Sequence, residues 1–519
     1  MDKHSICASK IISAQEFSQI REVFKLDGKK VIHCHGVFDL VHPGHIAHLS
    51  EAKNLGDVLV VSITSSPYVN KGPGRPYFSD ELRMKTLAAL ECVDYVILSE
   101  AETVVEVMDF IRPDLYVKGA EYATSANDIS MNIDIEVQKV RSLGGDVYFT
   151  CGDIVFSSTK LINNSFNSMP DNVVSFMKSL SERYSFNQIK EMVDDMKSIK
   201  ILVVGDVIID NYTFCLVQGL MSKDTAFSAK YEKEECYLGG SLAVARHLAC
   251  FSNNVTVCSV VGDDPHIHSR ILNDLGKDML LDLQYHSGFK TVVKRRFIER
   301  RGIRDEYAKL FSINYLNNDD ETGVLDKTDF YMRLERIVPE YDIVILTDFG
   351  HGLVDKRVME IIQEKAKFLA LNCQTNSSNF GTNLITKYTR ADCFCLDEKE
   401  LRLAMSDRHE DVDVLLKKLN NHFNSKAGWV TLGSLGSAAV DLEENIVKCP
   451  ALTLKVQDTV GAGDAFFVAA SMGAFLQLPL EISSFLGNTA GALAANVLGN
   501  AKPVRKSDLL KFASTLMNF

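Results

Sequence analysis

The sequence predicts an α/β protein of two successive domains, each a parallel sheet covered by helices. Three observations predict it. Apolar runs of strand length alternate with helix-length segments almost throughout the 519 residues, the pattern of βαβ units. Two glycine-bearing turns, each leading into a helix, lie far apart at residues 36–45 and 458–467. Between them, Asn163-Asn164-Ser165-Phe166-Asn167-Ser168-Met169-Pro170-Asp171-Asn172 is a polar, turn-forming break. The expected boundaries are 8–165 for the first domain, 166–198 for a linker with a leading helix, and 199–519 for the second domain.

Composition supports two soluble cores. Hydrophobic residues make up 46% and charged residues 24%. A net charge of −12 without a polybasic tail argues against a nucleic-acid partner. The 12 cysteines form no CxxC pair, and Cys34, Cys258, Cys393 and Cys395 lie in apolar runs, as reduced core residues do. No stretch of about 18 apolar residues and no signal-peptide pattern is present. A cytoplasmic protein without a membrane partner is expected.

The first domain opens its chemistry with a strand-like run, Val31 to His35, followed by Gly36-Val37-Phe38-Asp39-Leu40-Val41-His42-Pro43-Gly44-His45 and a helix expected from His45 to about Leu55. A helix start offers open N–H groups and the positive end of its dipole to phosphate. His42 and His45 stand one turn apart, so both imidazoles can face the same oxygens. Pro43 suits the first turn, where its missing N–H costs nothing. This suits attack of a phosphate on the α-phosphorus of a nucleoside triphosphate, with pyrophosphate leaving. Such a transition state needs fixed donors on its spreading charge more than a covalent nucleophile. Two plainer readings stand beside it: histidines that only cap and pack, or a metal cluster with His33, His35 and His48. Metal sites usually show tighter ligand spacing than this.

GVFDLVHPGH resembles the HxGH signature of the cytidylyltransferase-like nucleotidyltransferases. Leu55 to Val61 resemble that family's second strand, and Asn70 to Pro76 its basic loop, with Arg83 following. Arg112 to Gly119 and Phe156 to Thr159 complete the set. Over about 8–165 the chain looks most like the heptose 1-phosphate adenylyltransferase branch. The resemblance implies a Rossmann-like fold in which Gly36, Phe38 and Asp39 line the nucleotide. It also implies that Lys71 and Arg83 neutralise the triphosphate or pyrophosphate, Ser157, Ser158 and Thr159 bind nucleotide phosphates, and Lys118 contacts a phosphate.

The second domain carries its chemistry near its end, in Asp458-Thr459-Val460-Gly461-Ala462-Gly463-Asp464-Ala465-Phe466-Phe467. The two glycines let the backbone turn tightly and present N–H groups to an anion. A small-residue helix follows, placing Asp464 in its first turn, where it can take a proton from a substrate hydroxyl beside a stabilised phosphoryl group. A dinucleotide fingerprint is excluded because Phe466 stands where GxGxxG needs its last glycine. An ordinary glycine turn is the plain alternative, and no GxxxxGK[ST] occurs.

DTVGAGDAFF resembles the signature of ribokinase-like sugar kinases of the phosphofructokinase-B type. Ile201 to Asp210 resemble that family's opening strand, Gly239-Gly240 its sugar motif, and Val260 to Asp264 a further block. Val430 to Gly436 resemble its nucleotide-lining segment, with Thr431, Gly433 and Gly436 as contacts. The resemblance implies an anion hole at Gly461, Ala462 and Gly463, with Asp464 as base. Asp210, Gly239 and Gly240 would hold the sugar, and Glu400 would organise Mg2+ from an Asn-x-x-Glu element in which Asp397 replaces the Asn. Ala243 stands where the family has an Asn, and Val217 to Lys223 depart from the heptose-kinase pattern. The sugar can therefore differ from heptose 7-phosphate.

Thr213–Tyr237 and Lys290–Leu316 alternate like exposed strands. In ribokinase-like enzymes these segments lid the sugar site and often pair subunits, so a homo-oligomer is expected. Lys294 and Arg296 share a strand face and can grip a sugar phosphate; the competing reading is a solvated charge row protecting an edge.

Both halves together resemble the bifunctional heptose kinase/adenylyltransferases, in reversed order. A kinase acting on an anomeric hydroxyl makes a sugar 1-phosphate, which a nucleotidyltransferase converts into a nucleotide-sugar. The implied substrates are a small-molecule sugar phosphate and nucleoside triphosphates: ATP with Mg2+ in the kinase, and ATP, or else CTP or GTP, in the transferase. A degenerate half acting as a nucleotide-binding sensor or scaffold is the non-enzymatic alternative.

Overall fold

The computed structural model describes residues 9–69, 75–101, 103–119, 133–150, 169–275, 277–301, 306–317, 326–453 and 456–517. Two compact units result: Met1–Val174 with Leu510–Phe519, and Ser175–Leu509.

The first unit is built on five parallel strands: β1 (Val31–Gly36), β2 (Val58–Thr64), β3 (Tyr95–Ser99), β4 (Leu115–Lys118) and β5 (Asp146–Phe149), in the order β3-β2-β1-β4-β5. Every residue of β2 is buried, as a strand covered on both faces requires. Period-two alternation divides the core. Ile32, Cys34, Leu59 and Val61 pack on one face with Leu49 and Leu87. Val31, Val58 and Val60 pack on the other with Phe17, Met108 and Val140. Burying such a side chain contributes about 1.5–3 kcal/mol, which is why a fully apolar strand is driven inside. The chain runs outward from β1 to β3, then returns to lay β4 on the other side of β1. Ligands of open α/β sheets bind at the carboxyl ends beside such a reversal, and the Gly36–His45 segment starts there.

The second unit holds a nine-stranded sheet: β6 (Lys200–Gly205), β9 (Asn254–Val261), β10 (Leu280–Tyr285), β13 (Ile343–Asp348), β14 (Leu369–Cys373), β15 (Cys393–Asp397), β16 (Ala427–Thr431), β17 (Ser437–Asp441) and β18 (Ile446–Cys449). Their order is β10-β9-β6-β13-β14-β15-β16-β17-β18, parallel as far as β16 and antiparallel beyond it. The four remaining strands, β7 (Val207–Leu220), β8 (Phe227–Gly240), β11 (Val292–Arg301) and β12 (Glu306–Tyr315), form the expected small sheet, in the order β12-β11-β7-β8. Only Asp206 separates β6 from β7, so the chain passes directly from one sheet into the other.

This topology corrects one expectation. Lys294 and Arg296 are not an edge-protecting charge row, because β11 lies inside the small sheet, bonded to β7 and β12. Cys34, Cys258, Cys393 and Cys395 are buried free thiols within their strands. Among the described residues no helix is long and apolar enough to cross a membrane.

Candidate active sites

In the first unit, His42 is the N-cap of helix Pro43–Lys53, with extended backbone and Pro43 in the first turn. Its Nδ1 accepts the Gly44 N–H at 3.1 Å. Burial lowers its basicity, so the ring is neutral at pH 7 and carries its proton on Nε2, as a donor. His45 stacks on it with ring centroids 3.9 Å apart, and Phe38 packs edge-on against His45 at 5.2 Å. Phe38 takes a left-handed φ of 47°, and a Cβ on Gly36 would come within 3.0 Å of its ring. Gly36 is thus needed where the turn folds the phenyl back over the strand end.

Asp39 and Arg83 are both bonded within the protein. Asp39 accepts the Tyr77 and Phe78 N–H groups at 2.8 and 3.0 Å and pairs with Arg75. The Arg83 guanidinium is buried and donates to Val37 O at 2.7 Å, Thr64 O at 2.9 Å and Asp80 at 2.6 Å. Both residues stitch the glycine turn to its neighbours, and the Arg83 charge is spent inside the protein. Lys118 likewise pairs with Glu136 at 2.9 Å, over the Tyr116 ring. His33 and His35 both bond Ser62 Oγ, at 2.8 and 2.7 Å, while His48 bonds Thr150 at 3.1 Å. Lys71, Ser157, Ser158 and Thr159 lie outside the described residues.

In the second unit the predicted residues lie on β7, β8 and β11 of the small sheet, at the ends of β15 and β16, and at the start of helix Ala462–Phe475. Asp464 is in the first turn of helix Ala462–Phe475 and accepts a hydrogen bond from Gln374 at 3.1 Å. Burial pushes its carboxyl up to about 6, with Asp210 adding to the shift and Lys294 opposing it. Gly461 turns the chain at φ 82°, where a Cβ would strike Asn500 at 1.9 Å. The position beside Gly463 opens onto empty space, as close approach of a phosphate needs.

Asp210 forms an ion pair with Arg296. Lys294 stands beside Asp210 in the β7/β11 register, in the field of Asp210, Asp206 and Asp464. A Cβ on Gly239 would fall 2.3 Å from the Asp210 carboxylate, and one on Gly240, at φ 58°, 2.5 Å from Asp206 O. The glycine pair is what lets β8 pass this carboxylate. Ala243 is buried in helix Ser241–Ala249 and offers no hydrogen bond.

Toward the nucleotide end, Glu400 and Asp397 form a capping box. Glu400 accepts the Asp397 and Thr375 N–H groups, each at 2.9 Å. Burial, then the charge of Asp397, raises Glu400 to about 7. Carboxylates crowded in this way repel one another, and a cation beside them would relieve that repulsion. Asp397 pairs in register with Thr431, the last residue of β16, and Gly433 and Gly436 turn beyond it at φ 58° and 100°. Thr431, Asp397, Glu400, Gln374 and Asp464 thus form one continuous row.

Three contributors escaped sequence reasoning. Asp206 accepts the N–H groups of Phe349, His351 and Leu353 at 3.1, 3.3 and 3.3 Å, pinning the turn after β13. Gln374 orients Asp464. Lys309 of β12 pairs with Asp458 at 2.7 Å, and Asp458 also accepts the Gly499 N–H at 3.0 Å, tying the lid to the anion loop. Asp206 had a signal, an acid at a strand end after glycine; Gln374 and Lys309 had none.

Two family models match separate stretches of the chain. Residues 33–202 match the cytidylyltransferase-like family, and residues 311–506 match the pfkB family of carbohydrate kinases. The bifunctional protein HldE of Syntrophotalea carbinolica is 41% identical over 116 residues, covering 22% of this chain and 24% of its own. The HldE proteins of Campylobacter jejuni (serotype O:2) and Campylobacter fetus are 26% and 29% identical over 304 and 316 residues, 58% of this chain and 62% and 64% of theirs. The chain thus spans between a quarter and two thirds of the length of these relatives. Among solved structures, Escherichia coli phosphofructokinase-2 with substrates and products gives a TM-score of 0.48 at 18% identity, over 61% of this chain and 99% of its own. Arabidopsis thaliana ribokinase with ribose and ATP gives 0.46 at 18% identity, over 61% and 99%.

Proposed function

We propose that this chain, cytidylyltransferase-like in its first unit and of the pfkB carbohydrate-kinase type in its second, makes a nucleotide-sugar in two steps. In the first, ATP phosphorylates the anomeric hydroxyl of a sugar phosphate, here heptose 7-phosphate. In the second, once a separate phosphatase has hydrolysed the 7-phosphate of the resulting 1,7-bisphosphate, the sugar 1-phosphate attacks the α-phosphorus of ATP, releasing pyrophosphate and ADP-heptose. The observation that carries the proposal is the buried Asp464 carboxyl, raised to about 6 behind a left-handed glycine turn and facing Asp210 and Lys294. A base poised close to neutrality suits proton removal from a hydroxyl.

In the kinase step Asp464 takes the hydroxyl proton, Asp210, Lys294 and Arg296 hold the sugar, and the Gly461–Gly463 backbone receives the moving phosphoryl group. Mg2+ that arrives with ATP neutralises the phosphates beside Glu400. In the transferase step the His42 Nε2–H, His45 and the helix start stabilise the charge on the α-phosphate, with Lys71 and Ser157 to Thr159 on the remaining phosphates. Asp39 and Arg83 act indirectly, by holding the glycine turn.

Ala243 favours a second reading, in which another sugar is the acceptor and CTP or GTP serves as second nucleotide. The outer side of the small sheet exposes Phe227, Tyr231 and Phe311 at 69, 61 and 57%; a second copy of the chain is its proposed partner, in the cytoplasm. The test is a one-pot incubation with Mg-ATP and heptose 7-phosphate, comparing ATP, CTP and GTP as second nucleotide, with products read by mass spectrometry. Heptose 1,7-bisphosphate is the expected product of the chain alone, and ADP-heptose that of the mixture supplemented with a phosphatase that hydrolyses the 7-phosphate. ADP without any sugar product would remove heptose as the substrate.

A further inference from the structure

The turn that follows β13, Phe349-Gly350-His351-Gly352-Leu353-Val354, has no part in the mechanism above, yet it is pinned with unusual thoroughness. Asp206 takes three of its N–H groups, Asp348 takes a fourth at Gly350, and Asn376 and Asn379 donate to Phe349 O at 2.8 and 2.9 Å. The Lys327 ammonium, itself buried, holds the far side through Gly352 O at 2.6 Å. So many bonds on a short loop fix one backbone conformation.

What they fix is an imidazole. His351 is only 7% exposed, and its Nε2 is buried with no hydrogen-bond partner. A buried polar atom left unsatisfied is costly, and a bound ligand is one thing that can complete it. The surroundings say which. The turn begins at Asp348, whose carbonyl accepts the Gln374 N–H at 2.9 Å, and Gln374 holds Asp464 through its side chain. Asp206, which holds the His351 backbone, is four residues from Asp210, and Lys294 is close enough to act on the ring electrostatically. The imidazole therefore stands among the residues assigned to the sugar.

We propose that His351 is a substrate-reading residue of the kinase site, its Nε2 hydrogen-bonding a hydroxyl of the bound sugar. This deepens the kinase assignment above and rests on it. Burial, and then Lys294, push the ring down to about 4, so at pH 7 it is neutral and selects a hydroxyl rather than a phosphate. It supplies polar recognition in a sugar site whose helix offers Ala243 in place of the expected asparagine.

Calorimetric titration of the full chain with heptose 7-phosphate and fructose 6-phosphate tests this, alongside the His351→Ala and His351→Gln variants. His351→Ala is expected to weaken sugar binding by about 10–100-fold, with His351→Gln recovering part of the loss. The affinity for ATP and the thermal midpoint stay unchanged. Wild-type sugar affinity in His351→Ala overturns the proposal, as does an equal loss for sugar and ATP with a lowered midpoint, which marks a purely structural role. Phosphoryl transfer is measured in parallel. A wild-type chain that binds these sugars through His351 but transfers nothing to them supports the sugar-reading role and removes the kinase assignment. Binding of neither sugar by the wild type overturns the proposal.

Discussion

Asp464 combines two properties that a catalytic base needs and a structural residue does not: deep burial and the absence of a direct cationic partner among the described residues. Among the described residues its side-chain hydrogen bond comes from the neutral amide of Gln374. The raised carboxyl predicts that kinase kcat/KM falls about tenfold per pH unit below about 6, because the protonated acid cannot accept the hydroxyl proton. A flat profile from pH 5 to 7 would exclude Asp464 as the base. The same shift has a cost in stability. A carboxyl whose native value lies above its unfolded value of 3.8 favours the fold most below about pH 4, and this is lost as pH rises through about 6. Asp464→Asn, which keeps an acceptor for Gln374, is therefore expected to abolish phosphoryl transfer while stabilising the chain at pH 7.5 by about 1–3 kcal/mol. Denaturant unfolding of the pair measures it, and a destabilised variant would contradict the sign.

At the scale of elements, the hairpin of β7 and β8 delivers Asp210 only because β8 ends in glycine. A methyl group at Gly239 overlaps the Asp210 carboxylate, which is also held by Arg296 and cannot simply swing away. Gly239→Ala is thus expected to raise the KM for sugar at least tenfold, leave the KM for ATP unchanged, and cost about 1–3 kcal/mol as overpacking does. Steady-state kinetics in both substrates decide it; equal changes in the two KM values would place the damage elsewhere. Here the limits of the sequence are also visible. HPGH and GAGD could be read because their chemistry lies within one turn of chain, where helix starts and glycine dihedrals dictate geometry. The glycine pair could be located but not explained, since its reason is a carboxylate 29 positions earlier in the β7/β8 register. The bonds that Asp39 and Arg83 make within the protein were not legible, because a charged residue near a phosphate motif looks the same in sequence whether it faces the ligand or the backbone. Gln374 and His351 were invisible: each follows a different strand of the parallel sheet, and only strand order brings Gln374 to Asp464 and His351 near Lys294.

At the scale of the whole chain, two largely parallel sheets with separate cores each carry their own candidate site residues. The first unit closes its cores around β1 and β2 with residues of that unit alone, and the large core of the second runs from Leu202 to Val440. No residue assigned to one reaction is drawn from the other unit. Chemistry is then separable by single substitutions. His45→Ala is expected to lower pyrophosphate release by at least 100-fold, since it removes a donor from a charged transition state, while ADP formation from ATP and sugar stays within twofold of the wild type. Asp464→Asn should reverse the pattern when sugar 1-phosphate is supplied directly. Coupled assays for pyrophosphate and for ADP on the same preparations provide the comparison. Loss of both activities from either substitution would mean that the two sites share a component, and would overturn the assignment of each reaction to one sheet.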